Sequence, residues 1–392
     1  MEITSASILV VVAVAASAPL LADLTPKVRV PIVIAEMILG IVVGPEVLGL
    51  ANPDAFTEAL STFGLAFLFF LAGLEIDFQR IAGRPAMLGI AGWGMSLVLG
   101  IGIGVLLWVT GVANAPILVG LALTTTALGT LMPILRDSGV LGQRLGTFFL
   151  GAGSVGELGP IIAVSVILAY EAGEVWRTSL LIVFAVVTVL VTLLALRVQP
   201  ARIVALVETT MHSSGQFAIR LTLVVIVALV VLAADLGLDI VLGAFAAGVL
   251  VGLVIRGTDS HTFEAKLDAV GFGFLIPIFF IYTGMTYDLD QLADPSTLVL
   301  VPLFAALVLV VRGLPAWLLY RRALPAAERV PMALFSAAGL PLIVAITEIG
   351  TSVGVMAEAE AVALVGAGML SVLVYPILAL ALYREAESVP EP

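Results

Sequence analysis

The sequence predicts an all-α polytopic membrane protein with thirteen transmembrane helices, arranged as two six-helix inverted repeats joined by a linker helix. The first observation is composition: the chain has 392 residues, of which 61% are hydrophobic and 11% are charged, and its mean hydropathy is +1.21. Such values exclude a soluble globular domain. The second is a regular series of apolar runs, and the third is an internal repeat. The chain has no cysteine, which excludes disulfide and thiolate metal sites.

Thirteen apolar segments are separated by polar breaks, and each is long enough to cross a bilayer. The predicted limits are 5–24, 30–48, 57–75, 86–110, 115–135, 146–170, 177–197, 216–234, 239–256, 268–287, 296–320, 330–349 and 358–383. No basic residue precedes the first segment, so we expect a retained helix rather than a signal peptide. With this count, fifteen of the seventeen Lys and Arg residues lie on one side, in loops or near span ends. The positive-inside rule therefore predicts a multi-pass protein of the plasma (inner) membrane, with its N-terminus outside and its C-terminus in the cytoplasm.

Two motifs recur after an interval of seven spans. Residues 32–44 align with residues 240–252, and both segments end in Gly-x-x-x-Gly; residues 69–77 align with residues 280–288. Because seven is odd, the copies cross the membrane in opposite directions, as in the inverted repeats of secondary transporters. The predicted organisation is a first repeat at 1–175, a linker helix and cytoplasmic loop at 176–214, a second repeat at 215–384, and a short cytoplasmic tail at 385–392.

Both repeats contain a glycine- and proline-interrupted span at corresponding positions. Span five holds Gly129 and Pro133, and span twelve holds Gly339 and Pro341. Freed carbonyl groups at membrane depth must find partners or line a cavity. We therefore expect discontinuous helices that cross at the midplane, although ordinary helix kinks are the simpler alternative.

Glu157 and Arg312 are charged residues inside otherwise apolar spans. Along the helix axis, at ~1.5 Å per residue, Glu157 lies about 19 Å from Arg144, and Arg312 lies about 13 Å from Arg321. Arg144 and Arg321 are expected at the cytoplasmic edge of the membrane. Glu157 and Arg312 therefore lie near the middle of the bilayer, where a charge needs a partner or a function. A carboxyl group there can exchange a proton for a cation, with Arg312 as its charge partner. A fixed structural ion pair is the alternative.

Several further residues complete the candidate site. Hydroxyl groups of Thr125, Thr126 and Ser154 are hard oxygen ligands suited to alkali cations. Glu36 either lines an access path or is structural, and a structural role is favoured because Ala244 stands at the equivalent position of the second repeat. The stretch from Gly151 to Gly156 matches G-x-G-x-x-G, but no strand precedes it, so these glycines indicate close helix packing rather than nucleotide binding.

The chain resembles the monovalent cation:proton antiporter-2 family, which includes sodium/proton exchangers and Kef-type potassium efflux proteins. The resemblance is carried by the segments 31–45, 69–77 and 126–137. It implies a thirteen-helix fold with a dimerisation domain, a mobile core domain and elevator-like alternating access. The family usually has Asp at the position of Glu157 and often Lys at that of Arg312. Kef-type members carry a nucleotide-binding domain, which we do not expect here because the chain ends soon after its last span.

We therefore expect a secondary antiporter that exchanges Na⁺ or K⁺ for H⁺, one for one and without net charge movement. An anion or metabolite transporter that uses Arg312 and the half-helix N-termini is the alternative, and a sensor on a transporter fold is a third possibility. The sequence contains no group of catalytic residues that would indicate an enzyme. The expected partners are membrane lipid, monovalent cations, protons and a second copy of the chain, with no nucleic acid and no cofactor beyond the transported ions. The sequence leaves the choice between Na⁺ and K⁺ open.

Overall fold

A computed structural model describes residues 5–23, 31–76, 78–171, 190, 216–236, 238–255 and 260–388. These residues form helices and turns, and no β-strand occurs among them. Asp77 of the repeated motif and nearly all of the predicted linker helix at 177–197 lie outside this part of the chain.

Sixteen α-helices of six or more residues occur in the described part of the chain. They are α1 (Ser5–Asp23), α2 (Ile32–Val43), α3 (Ala55–Leu74), α4 (Arg84–Val109), α5 (Pro116–Ala122), α6 (Leu128–Asp137), α7 (Arg144–Glu171), α8 (Phe217–Asp235), α9 (Ile240–Ile255), α10 (Ser260–Val270), α11 (Ile276–Met285), α12 (Pro295–Val308), α13 (Leu314–Leu319), α14 (Ala326–Ser336), α15 (Pro341–Ser352) and α16 (Glu358–Ser388). Single π-helical turns, Gly271–Leu275 and Leu309–Gly313, join α10 to α11 and α12 to α13.

Eight helices or continuous helical runs in the described residues are long and apolar enough to cross a membrane, and three shorter apolar helices accompany them. The shorter ones are Ser7–Ala22, Ile32–Val43 and Ile240–Ile255. The described part of the chain is therefore all-helical and the protein is a multi-pass membrane protein, while the count of thirteen spans stays a prediction.

The chain divides into two compact units. The first comprises Asp54–Ile76 and Ser165–Phe279, together with the first three residues; the second comprises Thr4–Pro53, Asp77–Val164 and Phe280–Pro392. Each unit contains parts of both predicted repeats, so the repeat boundaries stay a prediction.

Glycines set the packing of α3 on α9 in the first unit. A Cβ at Gly73 would overlap the Phe245 carbonyl oxygen, and a Cβ at Gly248 would overlap that of Phe70. Only a residue without a side chain allows two helix backbones to approach this closely.

The second unit has an equivalent crossing between α2 and α11. A Cβ at Gly40 would overlap the carbonyl oxygen of Ile281, and one at Gly284 would overlap that of Met37. Small residues at the crossing point therefore account for the packing of α2, which has only 12 residues.

Replacing Gly248 with Ala is expected to lower the free energy of unfolding by about 1–3 kcal/mol, because the added methyl group must push α3 away. Thermal unfolding of the detergent-solubilised protein measures this. Gly102 in α4 provides the control, since nothing lies within 4 Å of its Cβ position. Gly102→Ala should be neutral or should stabilise by about 0.5–1 kcal/mol. Equal melting temperatures for both variants would contradict the packing role of Gly248.

The two interrupted helices differ in how closely they follow the prediction. The first interruption lies between Ala122 and Leu128, so Gly129 and Pro133 lie inside α6 rather than at the break. The reason is local: the Thr124 hydroxyl donates to the Leu121 carbonyl at 2.8 Å, and the Thr125 hydroxyl donates to the Ala122 carbonyl at 2.9 Å. The backbone N–H groups of Thr124 and Thr125 donate to the same two carbonyls, at 2.8 and 3.4 Å. Each carbonyl at the end of α5 is therefore bonded to a residue three positions on, in a tight last turn that ends the helix.

The second interruption lies between Ser336 and Pro341. Gly339 is in the non-helical segment, and Pro341 is the first residue of α15. Proline is tolerated there because the first helical residue needs no backbone donor.

Candidate functional site

Glu157 lies near the middle of α7 in the second unit, and its side chain is 3% exposed. The glycines around it are packing positions. A Cβ at Gly151 would meet Pro85 at 2.7 Å, one at Gly153 would meet Leu128 at 2.9 Å, and one at Gly159 would overlap the Trp93 ring. The glycines of the G-x-G-x-x-G match are therefore positions where α4 and α6 pack closely against α7.

Arg312 lies in the π-helical turn Leu309–Gly313 and is also 3% exposed. Its Nε and Nη2 donate to the Thr126 hydroxyl at 2.9 and 2.7 Å, and Nη2 also donates to the Ala152 carbonyl at 3.2 Å. Nη1 donates a longer bond to the Ser96 hydroxyl at 3.4 Å. Every one of these acceptors is neutral. Within the described residues, Arg312 therefore joins α4, the first interruption and α7.

Thr126 is the point where the two interruptions meet. Its hydroxyl donates to the Ser336 carbonyl at 2.6 Å, its backbone N–H donates to the Gly156 carbonyl at 3.1 Å, and the next N–H, that of Ala127, donates to the Ala338 carbonyl at 2.8 Å. A hydroxyl group can donate once and accept twice. With Arg312 as donor of two bonds, the Thr126 hydroxyl uses its full capacity.

Thr125 and Ser154 are also buried, but unlike the Thr126 hydroxyl, their hydroxyl groups donate one hydrogen bond each and accept none from Arg312. Thr125 donates to Ala122 at 2.9 Å, and Ser154 donates to the Leu150 carbonyl at 2.7 Å. Both bonds use the hydroxyl proton, so the oxygen lone pairs keep the ability to bind a cation. Thr125 faces the second interruption, because a Cβ at Gly339 would lie 2.6 Å from its hydroxyl oxygen.

Glu36 is the third buried charged residue in the second unit that the sequence singles out, and it is 3% exposed on α2. Among the described residues, no hydrogen bond joins Glu36 to Arg312 or Thr126. The geometry therefore brings Thr125, Thr126 and Arg312 together beside the turn of α7 that carries Glu157, and it leaves the role of Glu36 open.

Two serines that sequence reasoning missed also support this region. Ser96 accepts from Arg312, and Ser371 of α16 accepts the Gly339 N–H at 3.2 Å while its hydroxyl lies 2.7 Å from the Gly368 carbonyl. Their only signal in the sequence is a hydroxyl residue within an apolar span. No group of three or more His, Cys, Asp or Glu residues that could hold a metal ion occurs in the described part of the chain.

The family model described as "Sodium/hydrogen exchanger, transmembrane" matches residues 12–382. The putative Na(+)/H(+) antiporter YjbQ of Bacillus subtilis is 29% identical over 98% of this chain and 64% of its own length. The chain thus spans somewhat less than two thirds of that relative. The Na(+)/H(+)-K(+) antiporter GerN of Bacillus cereus is 26% identical over 71% of each protein.

Among solved structures, the sodium proton antiporter MjNhaP1 from Methanocaldococcus jannaschii matches with a TM-score of 0.60. The alignment covers 97% of this chain and 96% of that structure at 14% sequence identity, so it shows a shared fold. Because the family model extends over almost the whole sequence, the chain belongs to the sodium/hydrogen exchanger family.

Proposed function

We propose that this protein exchanges a monovalent cation, Na⁺ or K⁺, for H⁺ across the membrane. The observation that carries the proposal is the position of Glu157, an acid that is 3% exposed and lies one residue from the Gly156 carbonyl, which accepts a hydrogen bond from the first helix interruption. A buried carboxyl group beside irregular backbone is typical of ion sites in secondary transporters. The names of the antiporter relatives agree with this activity.

In the proposed mechanism, Glu157 binds either a proton or a cation, and each form compensates the carboxylate charge at membrane depth. The lone pairs of Thr125 and Ser154 supply neutral oxygen ligands for the cation. Thr126 has a different role, because its hydroxyl already makes three hydrogen bonds. We infer that Thr126 holds the site together and does not coordinate the ion in this conformation.

We infer that exchange is electroneutral. Arg312 keeps its charge at physiological pH, and the hydrogen bonds described for it go to neutral groups. One titratable acid then trades one proton for one cation. Reconstituted liposomes under a tenfold cation gradient should show proton flux without current on a solid-supported membrane. A sustained transport current that reverses with the gradient would contradict one-for-one exchange.

The proposed architecture is an inverted repeat whose interrupted helices cross at the midplane, with thirteen spans and repeats at 1–175 and 215–384. The glycine crossings support it. Each of the four glycines meets the carbonyl three residues before its partner glycine: Gly40 meets Ile281, Gly284 meets Met37, Gly73 meets Phe245 and Gly248 meets Phe70. The sequence repeat equates Gly40 with Gly248 and Gly73 with Gly284, so it maps one crossing onto the other.

Elevator-like alternating access, a homodimer, and a cytoplasmic C-terminus belong to the same proposal. The first two rest on the family resemblance, and the third rests on the positive-inside distribution. The organic-anion alternative gains no support from the site. The Arg312 guanidinium is buried and already bonded to Thr126, Ala152 and Ser96, so an anion would have to displace these bonds.

The proposed function is tested in proteoliposomes that contain a pH-sensitive dye. After an acid interior is imposed, addition of Na⁺, K⁺ or Li⁺ at several pH values should dequench the dye, and the concentration dependence gives the cation preference. Empty liposomes provide the background. If none of the three cations moves protons above that background, the proposed exchange is wrong.

A further inference from the structure

We propose that Pro160 is a positioning residue for the ion site, because it frees the Gly156 carbonyl to hold the first helix interruption beside Glu157. This inference rests on the proposed antiport and deepens it. Pro160 lies three residues after Glu157 and interrupts the hydrogen bonding of α7, and the inference gives this interruption a function.

The first step is the hydrogen-bond pattern of α7. In an α-helix, the carbonyl of residue 156 accepts from the N–H of residue 160. Pro160 has no N–H, so it cannot make this bond. The Gly156 carbonyl instead accepts the backbone N–H of Thr126 at 3.1 Å. The proline removes one donor from the helix, and the interruption provides a replacement.

The second step is access to that carbonyl. A Cβ at Gly156 would overlap Arg312 Nη2 and would lie 2.8 Å from the Thr126 hydroxyl oxygen. Gly156 therefore opens the helix surface on which the Thr126 backbone and the guanidinium rest. The open surface, the freed carbonyl and the Glu157 carboxylate all occur within one turn of α7.

The third step is the consequence for the ligands. Thr126 is fixed at two atoms: its N–H binds α7 through Gly156, and its hydroxyl binds the second interruption through Ser336. With Thr126 held in this way, the neighbouring Thr125 hydroxyl has a set position against Gly339. The distance between the carboxylate and the neutral oxygens that coordinate a cation therefore depends on the bond to Gly156.

The second interruption is attached to its neighbouring helix by a different kind of hydrogen bond, which does not involve a carbonyl freed by proline. There the Gly339 N–H donates to the Ser371 hydroxyl at 3.2 Å. A side chain acts as acceptor, so α16 needs no missing backbone donor at that point. Of these two contacts, Thr126 with Gly156 and Gly339 with Ser371, only the first depends on a proline.

The test is Pro160→Ala in the full chain. The introduced alanine restores the N–H, which competes with Thr126 for the Gly156 carbonyl. We expect the KM for the cation to rise about tenfold with kcat nearly unchanged, which indicates lost cation binding rather than lost turnover. We also expect an unchanged or higher melting temperature, because an interior proline is replaced by a good helix former. A merely structural role predicts the opposite, a joint fall of stability and transport.

Pro302 is the matched control, because it is also a proline inside a helix of the second unit but is exposed on α12. Pro302→Ala should keep the KM of the original protein. A second variant replaces the Thr126 amide with an ester through incorporation of the corresponding α-hydroxy acid, which deletes the donor itself. It should reproduce the KM change of Pro160→Ala even if that variant folds poorly.

Two outcomes would overturn the inference: a KM within twofold of the original for Pro160→Ala and for the ester, or an equal KM change in Pro302→Ala. A direct readout separates this failure from that of the proposed function. The Na⁺ concentration that gives half of the maximal thermal shift reports binding without transport, and Pro160→Ala should raise it by a similar factor. Absence of exchange by the unaltered protein would count against antiport, whereas an unshifted Na⁺ midpoint would count against Pro160.

Discussion

Replacing Glu157 with Gln is expected to abolish cation/proton exchange. The substitution keeps the size and shape of the side chain but removes the group that can lose a proton. Glu157 is 3% exposed in the middle of a 28-residue helix, and a neutral amide at this depth costs less than a carboxylate. The variant should therefore fold at least as well as the original. Its dye dequenching in proteoliposomes should fall to that of empty liposomes, a loss on the order of 100-fold or more, as for removal of an essential proton-transfer group.

Two companion substitutions sharpen this test. Glu157→Asp keeps the titratable group but draws it back toward the helix, so it should retain exchange with an altered cation KM. Glu36→Gln changes an acid with the same 3% exposure on α2, and if Glu36 is structural, exchange should persist. The assignment of Glu157 fails if Glu157→Gln still shows pH-driven cation flux. If Glu36→Gln alone abolishes flux, the proton-binding group is in α2.

The sequence is most informative about features that have a high free-energy cost inside a membrane. Glu157 and Arg312 stand out because charges inside apolar spans are rare, and in the structure both are 3% exposed. The helical runs follow from apolar length alone, since hydrocarbon leaves the backbone few other ways to satisfy its polar groups. The Gly-x-x-x-Gly motifs likewise predict where helix backbones approach each other, as Gly40 and Gly248 show.

The details of the site depend on hydrogen bonds that no pattern of residue types reveals. Glycine and proline predict a break at Gly129 to Pro133, but α5 ends earlier, in a tight turn where Thr124 and Thr125 bond to carbonyls three residues back, and α6 accommodates both residues. The Gly156 carbonyl has no sequence signal of its own, because every residue carries a carbonyl group. Ser96 and Ser371 are similarly inconspicuous, since serine in a membrane helix most often bonds to its own backbone.

The position of Arg312 leads to the second large prediction. Arg312→Gln is expected to remove most exchange and to lower the free energy of unfolding by roughly 2–4 kcal/mol, because charge-assisted hydrogen bonds contribute about 1.5–3 kcal/mol each and their loss is partly offset by the amide. The guanidinium donates from two nitrogens to Thr126 and reaches Ala152 and Ser96 as well. Its loss leaves the Thr126 hydroxyl without either donor and loosens both interruptions at once.

Arg312→Lys separates the charge of this residue from its shape. Lysine keeps the positive charge but is a single point donor without the planar fork, so it cannot make the paired bonds to Thr126 and the bond to Ala152 together. If Arg312 acts mainly by holding Thr126, Arg312→Lys should behave like Arg312→Gln, with a lower melting temperature and a raised cation KM. If Arg312 acts mainly as the charge partner of Glu157, the lysine variant should transport nearly normally.

Arg321→Gln is the matched control, since Arg321 is an exposed arginine whose guanidinium lies 4.6 Å from the centre of the Trp317 ring. An exposed cation–π contact contributes only about 0.5–1 kcal/mol, so this variant should keep both its melting temperature and its exchange. Thermal unfolding and dye dequenching are measured on the same preparations of all three variants. Normal stability of Arg312→Gln, together with normal cation KM, would show that the bonds to Thr126 are dispensable and that the interruptions are held by their backbone contacts with Gly156 and Ala338 alone.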